Sequence, residues 1–136
     1  MIFDTKVAIL VLHDLPVWQK LNVTAFIATG ISGAVPHAMG DPYEDAAGRK
    51  HTRLLGQPML IFSATPDVLQ RAWQQSIQRD LIRAPYVRAM FETGYDVANR
   101  AVFKAENADA PDLVGLALYG PKKDIDKAIK GTNLHP

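Results

Sequence analysis

Apolar and polar positions along the chain predict strands and helices in strict alternation. The segment "KVAILVL" (Lys6–Leu12) is apolar at nearly every position, which is typical of a strand covered on both faces. Further strands are predicted at 57–64, 86–91 and 112–120, and helices begin near Pro16, Thr65, Thr93 and Pro121. The order β, α, β, α, β, α, β, α predicts a three-layer αβα domain.

Local signals mark where the helices begin. Thr65 followed by Pro66 predicts a capped helix start, and Thr93 with Asp96 three positions on imitates a capping box. The first helix is apolar on most sides, which predicts a buried central element.

Composition limits the class of protein. The chain has 136 residues, 48% apolar and 21% charged, which predicts one folded domain over 1–136. A net charge of +1 disfavours a general nucleic-acid-binding domain. The absence of cysteine excludes disulfides, thiolate ligands and a cysteine nucleophile.

Targeting signals are not apparent in the sequence. The short apolar stretch Val7–Leu12 follows Asp4 and is too short for a signal peptide, and no stretch is long enough to cross a membrane. We therefore expect a cytoplasmic protein that does not contact a membrane.

Most familiar catalytic signatures are missing. The sequence has no G-x-S-x-G elbow, and no Gly-rich phosphate loop follows the first strand. The four histidines are scattered without an H-x-x-x-H pair. We therefore predict neither a metal site nor a cofactor.

Polar residues collect after the predicted strands, where ligands gather in open α/β folds. The candidate site residues also have purely structural alternatives. Asp14 could cap the first helix, Thr93 and Asp96 could form only a capping box, and Lys20 could be a solvated helix lysine. The residues that follow strands are His13, Asp14, Ser63, Thr65, Glu92, Thr93, Gly120, Pro121 and Lys122.

Several short segments resemble a known enzyme family. An apolar strand entering "DL", Lys20 on a small-residue helix that ends in Gly, and "LALYGPKKDIDKAIKG" resemble the type-2 peptidyl-tRNA hydrolases. The segments "DLPVWQKLN", "MFETG" and "LALYGPKKDID" look closer still to a bacterial family of uncharacterised proteins with that fold. The resemblance implies a mixed four-stranded sheet flanked by helices, and a homodimer.

The chain departs from the hydrolase pattern at the residues expected to do chemistry. Thr24 and Ile27 stand where the hydrolase helix carries a glutamine and a histidine, and Gln19 replaces the glycine before the lysine. Asp96 lies where a threonine hydroxyl is expected. An isoleucine can neither bind a phosphate nor relay a proton, which indicates a retained fold with a rewritten catalytic surface.

These observations favour a protein that binds a small ligand at the carboxyl ends of its strands. Lys20 is expected to meet an anionic group, and Asp14 and Asp96 to accept hydrogen bonds or act as a base; Asn22, Thr24 and Thr93 are the other expected ligand contacts. One alternative is a hydrolase of peptidyl-tRNA or another acyl ester, although tRNA binding requires several phosphate contacts. The other is a non-enzymatic, dimeric interaction domain.

Overall fold

A computed structural model describes residues 2–136 as a mixed α/β fold. Five strands form one sheet in the order β5-β6-β1-β4-β7, and β2 and β3 form a separate hairpin. The strands are β1 Thr5–Leu12, β2 Tyr43–Glu44, β3 Lys50–His51, β4 Met59–Ala64, β5 Ile82–Val87, β6 Leu113–Pro121 and β7 Asn133–Leu134. The helices are α1 Val17–Ala34, α2 Pro66–Gln78, α3 Asp96–Lys104 and α4 Lys122–Ala128.

The sheet is mixed, as predicted, but it has five strands where four were expected. Strand β1 pairs in parallel with β4, whereas β6 runs antiparallel to both β1 and β5. The additional strand, β7, pairs antiparallel to β4 through two residues. A strand of two residues is too short to produce an alternating pattern, so the sequence could not indicate it.

Helices cover both faces of the sheet. A side chain at Gly115 of β6 would point at Val23 and Ile27 of α1, and one at Gly120 would point at Leu81 and at Ile125 of α4. Positions an odd number apart on a strand face opposite ways, so α1 and α4 lie on opposite faces. Strands β1 and β6, which lie between these helices, are buried along nearly their whole length. This burial is consistent with the continuous apolar pattern of the strands.

The prediction that α1 is buried on most sides is wrong. One stripe, Val23, Ile27 and Ile31, is buried at spacings of four residues. The outward side chains Val17, Trp18, Leu21 and Phe26 are more than half exposed. An almost uniformly apolar helix has no preferred face in sequence, so the strands against which it packs select the buried stripe.

The third predicted strand lies four residues too late. The strand is β5, Ile82–Val87, and Arg88–Glu92 forms a 3₁₀ helix instead of extended chain. Pro85 lies inside this strand opposite Leu116. Because β5 is an edge strand, the missing N–H of Pro85 leaves no gap in the sheet, so the proline does not end the strand.

The two predicted helix caps have different outcomes. The Thr65 hydroxyl accepts a hydrogen bond from the Val68 N–H, so the predicted cap of α2 is confirmed. Helix α3 begins at Asp96 after Tyr95, without a side-chain cap. The predicted capping box of Thr93 and Asp96 is therefore wrong, and these two residues lie free of that structural role.

Candidate functional site

Two adjoining cavities open between α1, β5 and α3. Their volumes are about 470 Å³ and about 370 Å³, within the range of small-molecule sites. We call the two together the α1–α3 groove. The residues that line both are Phe26, Tyr86, Met90, Asp96 and Asn99.

Aromatic rings form the walls of the α1–α3 groove. The ring centre of Tyr86 lies 5.4 Å from that of Phe91 and 6.0 Å from that of Phe26. Trp18 packs edge-on against Phe91 at 6.0 Å. Rings at these separations stabilise one another and hold a fixed surface on which a planar molecule can pack.

Tyr86 lies at the centre of the groove. The residue is only 7% exposed, and its hydroxyl has no hydrogen-bond partner among residues 2–136. Burial raises the pKa of the Tyr86 phenol above its usual value, since it disfavours the charged form. The groove therefore contains a neutral phenol that is available to donate a hydrogen bond.

Amide and hydroxyl groups lie at one end of the groove. The Thr93 hydroxyl donates to the Met90 carbonyl oxygen at 2.9 Å and contacts the Asn99 side-chain amide. Asn22, one turn before Phe26 on α1, lines the same cavity. These uncharged groups can both donate and accept hydrogen bonds.

Asp96 is engaged in an ion pair. Its carboxylate accepts hydrogen bonds from the Arg100 guanidinium at 2.8 and 2.9 Å, and both side chains are about three-quarters exposed. A solvated, paired carboxylate at the rim gives little of the environment that a general base needs. Its pairing with Arg100 instead leaves this part of the groove without net charge.

Lys20 and Thr24 line a different cavity, on the other side of α1. Because residues two apart on a helix point about 200° apart, Lys20 faces away from Asn22. Lys20 Nζ lies 3.1 Å from His135 Nε2, and the Thr24 hydroxyl donates to the Lys20 carbonyl oxygen. This cavity of about 340 Å³ is otherwise apolar.

Asp14 lies apart from both sites. It is exposed in the turn after β1 and lines neither the groove nor the Lys20 cavity. Pro16, with no side-chain cap, precedes α1, so Asp14 does not cap that helix. Of the six predicted site residues, the structure brings together Asn22, Thr93 and Asp96, and separately Lys20 and Thr24.

Gly120, Pro121 and Lys122 lie at the opposite end of the sheet. Because β6 is antiparallel to β1, Pro121 at its end is opposite Thr5 at the beginning of β1. The prediction that these residues share the edge with the other strand ends is therefore wrong.

Sequence reasoning missed Tyr86, Asn99 and His135. Tyr86 stood inside a predicted strand with nothing to distinguish it from a core residue, and Asn99 occupied an ordinary helix position. His135 reaches Lys20 only because β7 pairs with β4, and β7 has no sequence signal. Its contact could be found only from the fold.

The described part of the chain contains neither a metal-binding cluster nor a helix that could span a membrane. Within residues 2–136, no group of three or more His, Asp or Glu side chains is placed to hold a metal ion. None of the helices in that range is long and apolar enough to cross a bilayer.

The fold and its cavities define a mixed α/β protein with an open aromatic groove. The family described as "Protein of unknown function (DUF2000)" matches residues 5–136, and the chain belongs to that family. This agrees with the predicted membership of a family of uncharacterised proteins. No curated protein matches the chain.

A solved structure has the same fold. The chain is similar to the protein of unknown function Atu0240 from Agrobacterium tumefaciens strain C58, with 41% identity and a TM-score of 0.95. The match covers 99% of this chain and 100% of the other.

Proposed function

We propose that this protein binds a small, planar, largely uncharged molecule in the α1–α3 groove. The observation that carries the proposal is the Tyr86 phenol, whose ring is largely buried among the groove side chains and whose hydroxyl has no hydrogen-bond partner within residues 2–136. The phenol O–H can donate to a ligand carbonyl oxygen or ring nitrogen, and a neutral hydrogen bond of this kind contributes about 0.5–1.5 kcal/mol.

The aromatic walls support a planar ligand. Trp18, Phe26 and Phe91 surround the space beside Tyr86 and offer ring faces and edges for stacking. Asn22 and Asn99 can pair with a ligand that presents both a donor and an acceptor. A heteroaromatic amide or lactam meets each of these requirements.

Charge supports a neutral ligand. Asp96 and Arg100 neutralise one another at the rim, and no other charged side chain lines the groove among the described residues. An anion or a cation in the groove would lose hydration without gaining an unpaired counter-charge.

The test is a nuclear magnetic resonance titration with bicyclic heteroaromatic lactams, quinolin-2-one and isoquinolin-1-one. Shifts should concentrate on Asn22, Tyr86 and Asn99, and Tyr86→Phe should weaken binding by about two- to tenfold because one hydrogen bond is lost. Tyr119→Phe, a tyrosine of β6 outside the groove, is the matched control and should bind as the parent does. Equal binding by the Tyr86 variant, or shifts spread outside the groove, contradicts the proposal.

A second candidate is acyl-ester hydrolysis at Lys20, with His135 in contact. The 3.1 Å contact puts a cationic donor beside an imidazole that could accept a proton, which is the kind of pairing that hydrolysis needs. Release of the acyl group from a peptidyl-tRNA by the purified chain, abolished by Lys20→Ala, would support this candidate. Turnover at the background rate excludes it for that substrate.

The mixed sheet and the short motifs support a relationship to the type-2 peptidyl-tRNA hydrolase fold, and that resemblance is also our reason for proposing a homodimer. The half-exposed apolar side chains along the outer face of α1 are the surface that a second copy could cover. A cytoplasmic location remains our expectation from the cysteine-free sequence.

A further inference from the structure

We infer that the cavity beside β7 is a second binding site, for a small carboxylate with an apolar tail, whose head group meets Lys20 Nζ. This cavity lies on the opposite side of α1 from the α1–α3 groove and does not depend on the function proposed for that groove.

Lys20 presents a positive charge that no Asp or Glu side chain of the described residues neutralises. Within residues 2–136, no Asp or Glu oxygen lies within 4 Å of its Nζ. The ammonium has three N–H donors, and the contact with His135 accounts for one of them. Two donors are left for a carboxylate, whose two oxygens can accept both.

The position of His135 is fixed by the chain around it. Its backbone N–H donates to the Ile61 carbonyl oxygen at 2.9 Å, beside the β4–β7 pairing. Its Nδ1 lies 3.0 Å from the Pro136 carbonyl oxygen, which favours the tautomer that carries the proton on Nδ1. In this tautomer Nε2 can accept a hydrogen bond from Lys20 Nζ, which keeps the ammonium beside the cavity.

The walls specify the rest of the ligand. Val11, Val17, Leu21 and Ile61 provide an apolar surface, and Lys20, Thr24 and His135 are the polar residues at the cavity. The Thr24 hydroxyl already donates its hydrogen bond to the Lys20 carbonyl oxygen at 2.7 Å. A phosphate, which needs several donors, is poorly matched, whereas a hydrocarbon tail can be buried against the four aliphatic side chains.

Size selects a short tail. A volume of about 340 Å³ lies near the lower end of the range for small-molecule sites. Hexanoate supplies a carboxylate and a five-carbon tail, and hexan-1-ol and hexylamine keep the tail while changing only the head group.

The experiment titrates the full chain with hexanoate, hexan-1-ol, hexylamine and inorganic phosphate, each to about 10 mM, followed by amide and side-chain resonances. Hexanoate should shift Leu21, Thr24 and His135 and bind at least about tenfold more tightly than hexan-1-ol, since an ionic hydrogen bond is lost with the alcohol. Hexylamine and phosphate should leave these resonances unchanged.

Variants separate the charge from the fold. Lys20→Met should reduce hexanoate affinity by about tenfold or more, and Lys20→Arg should retain most of it. Lys123→Met, which replaces an exposed lysine of α4 that forms no ion pair within residues 2–136, should have no effect. Tyr86→Phe should bind hexanoate normally, so failure of the groove ligand and failure of this site are distinguishable.

Three results overturn the inference. They are equal binding of hexanoate and hexan-1-ol, equal binding of hexanoate and phosphate, and unchanged hexanoate affinity in Lys20→Met with a parent-like spectrum.

Discussion

Tyr86 shows how burial alone changes the behaviour of a single side chain. The pKa of its phenol is raised above the ordinary value of 10.0 because the anion is poorly solvated. We predict that alkaline absorbance titration of the parent contains a late tyrosinate transition that is missing in Tyr86→Phe.

The same shift has a consequence for stability. Tyr86 ionises at a lower pH in the unfolded chain than in the folded chain. Its contribution to the free energy of unfolding is therefore complete below pH 10 and is lost as pH rises through the folded-state pKa. The free energy of unfolding of Tyr86→Phe should consequently fall less steeply above pH 10 than that of the parent. Identical alkaline slopes contradict this expectation.

Gly115 lies where β6 approaches α1 most closely. A methyl group at this position would overlap Val23 Cγ1 and crowd Ile27 Cδ1, both on the buried stripe of α1. We predict that Gly115→Ala lowers the free energy of unfolding by about 1–3 kcal/mol through overpacking, measured by urea denaturation.

Gly33 provides the matched control. It lies in the last turns of α1, and a methyl group there meets no atom within 4 Å. Gly33→Ala should raise stability by about 0.5–1 kcal/mol because alanine favours the helix. Equal effects of the two substitutions would show that the close contact at Gly115 is relieved by small movements.

The role of a side chain could be predicted where its hydrogen-bond partner lies close to it in the sequence. The Thr65 cap depends on atoms within three residues and was predicted correctly. The Thr93 hydroxyl has the same chemistry, yet it donates to the Met90 carbonyl because the 3₁₀ turn brings that oxygen close. Tyr86 and His135 acquire their environments from distant segments, so no local pattern identifies them.

At the scale of elements, the β2–β3 hairpin depends on Asp45. Its carboxylate accepts hydrogen bonds from the Arg49 backbone N–H at 3.0 Å and the Arg49 guanidinium at 2.8 Å, and contacts His51 Nε2 at 2.9 Å. These contacts, that of His51 foremost, lower the pKa of Asp45 from 3.8 to about 2.

The hairpin should therefore respond to acid. Because the pKa of Asp45 is lowered in the folded hairpin, the ionised carboxylate stabilises the hairpin above pH 3.8. This stabilisation is lost as pH falls toward about 2. We predict that chemical shifts of the hairpin residues change together over this interval, while those of α2 do not. In Asp45→Asn, which has no carboxylate to protonate, these shifts should not change over the same interval; a transition that persists in that variant contradicts the prediction.

Element types were predictable and element boundaries were less so. All four helices are present, and the cap of Thr65 and the first-turn proline mark the beginning of α2 correctly, whereas α3 begins at Asp96, three residues after the predicted start. The predicted third strand, 86–91, begins after Pro85, whereas β5 includes this proline. The topology of the sheet decides whether a proline is tolerated, and this information is absent from the local sequence.

At the scale of the whole molecule, α1 separates two cavities and presents an apolar outer face. If a second copy covers this face, Leu21→Glu should dissociate the dimer, because a buried unpaired carboxylate is strongly disfavoured. Sedimentation velocity should then give a dimer for the parent and a monomer for the variant.

Leu54→Glu is the control, since Leu54 is comparably exposed but lies outside α1. It should sediment as the parent does. A monomeric parent across the concentration range contradicts the homodimer prediction.

The order of strands in the sheet has a consequence for how the chain folds during its synthesis. Strand β6 lies between β1 and β5, and Val7 pairs with Tyr119 across most of the length of the chain. Until residue 121 has left the ribosome, β1 has no neighbour on that side and β5 has no partner in the sheet. The nascent chain therefore carries an unfinished, strongly apolar edge for most of its translation, and β5 joins β1 in one sheet only when β6 is inserted between them.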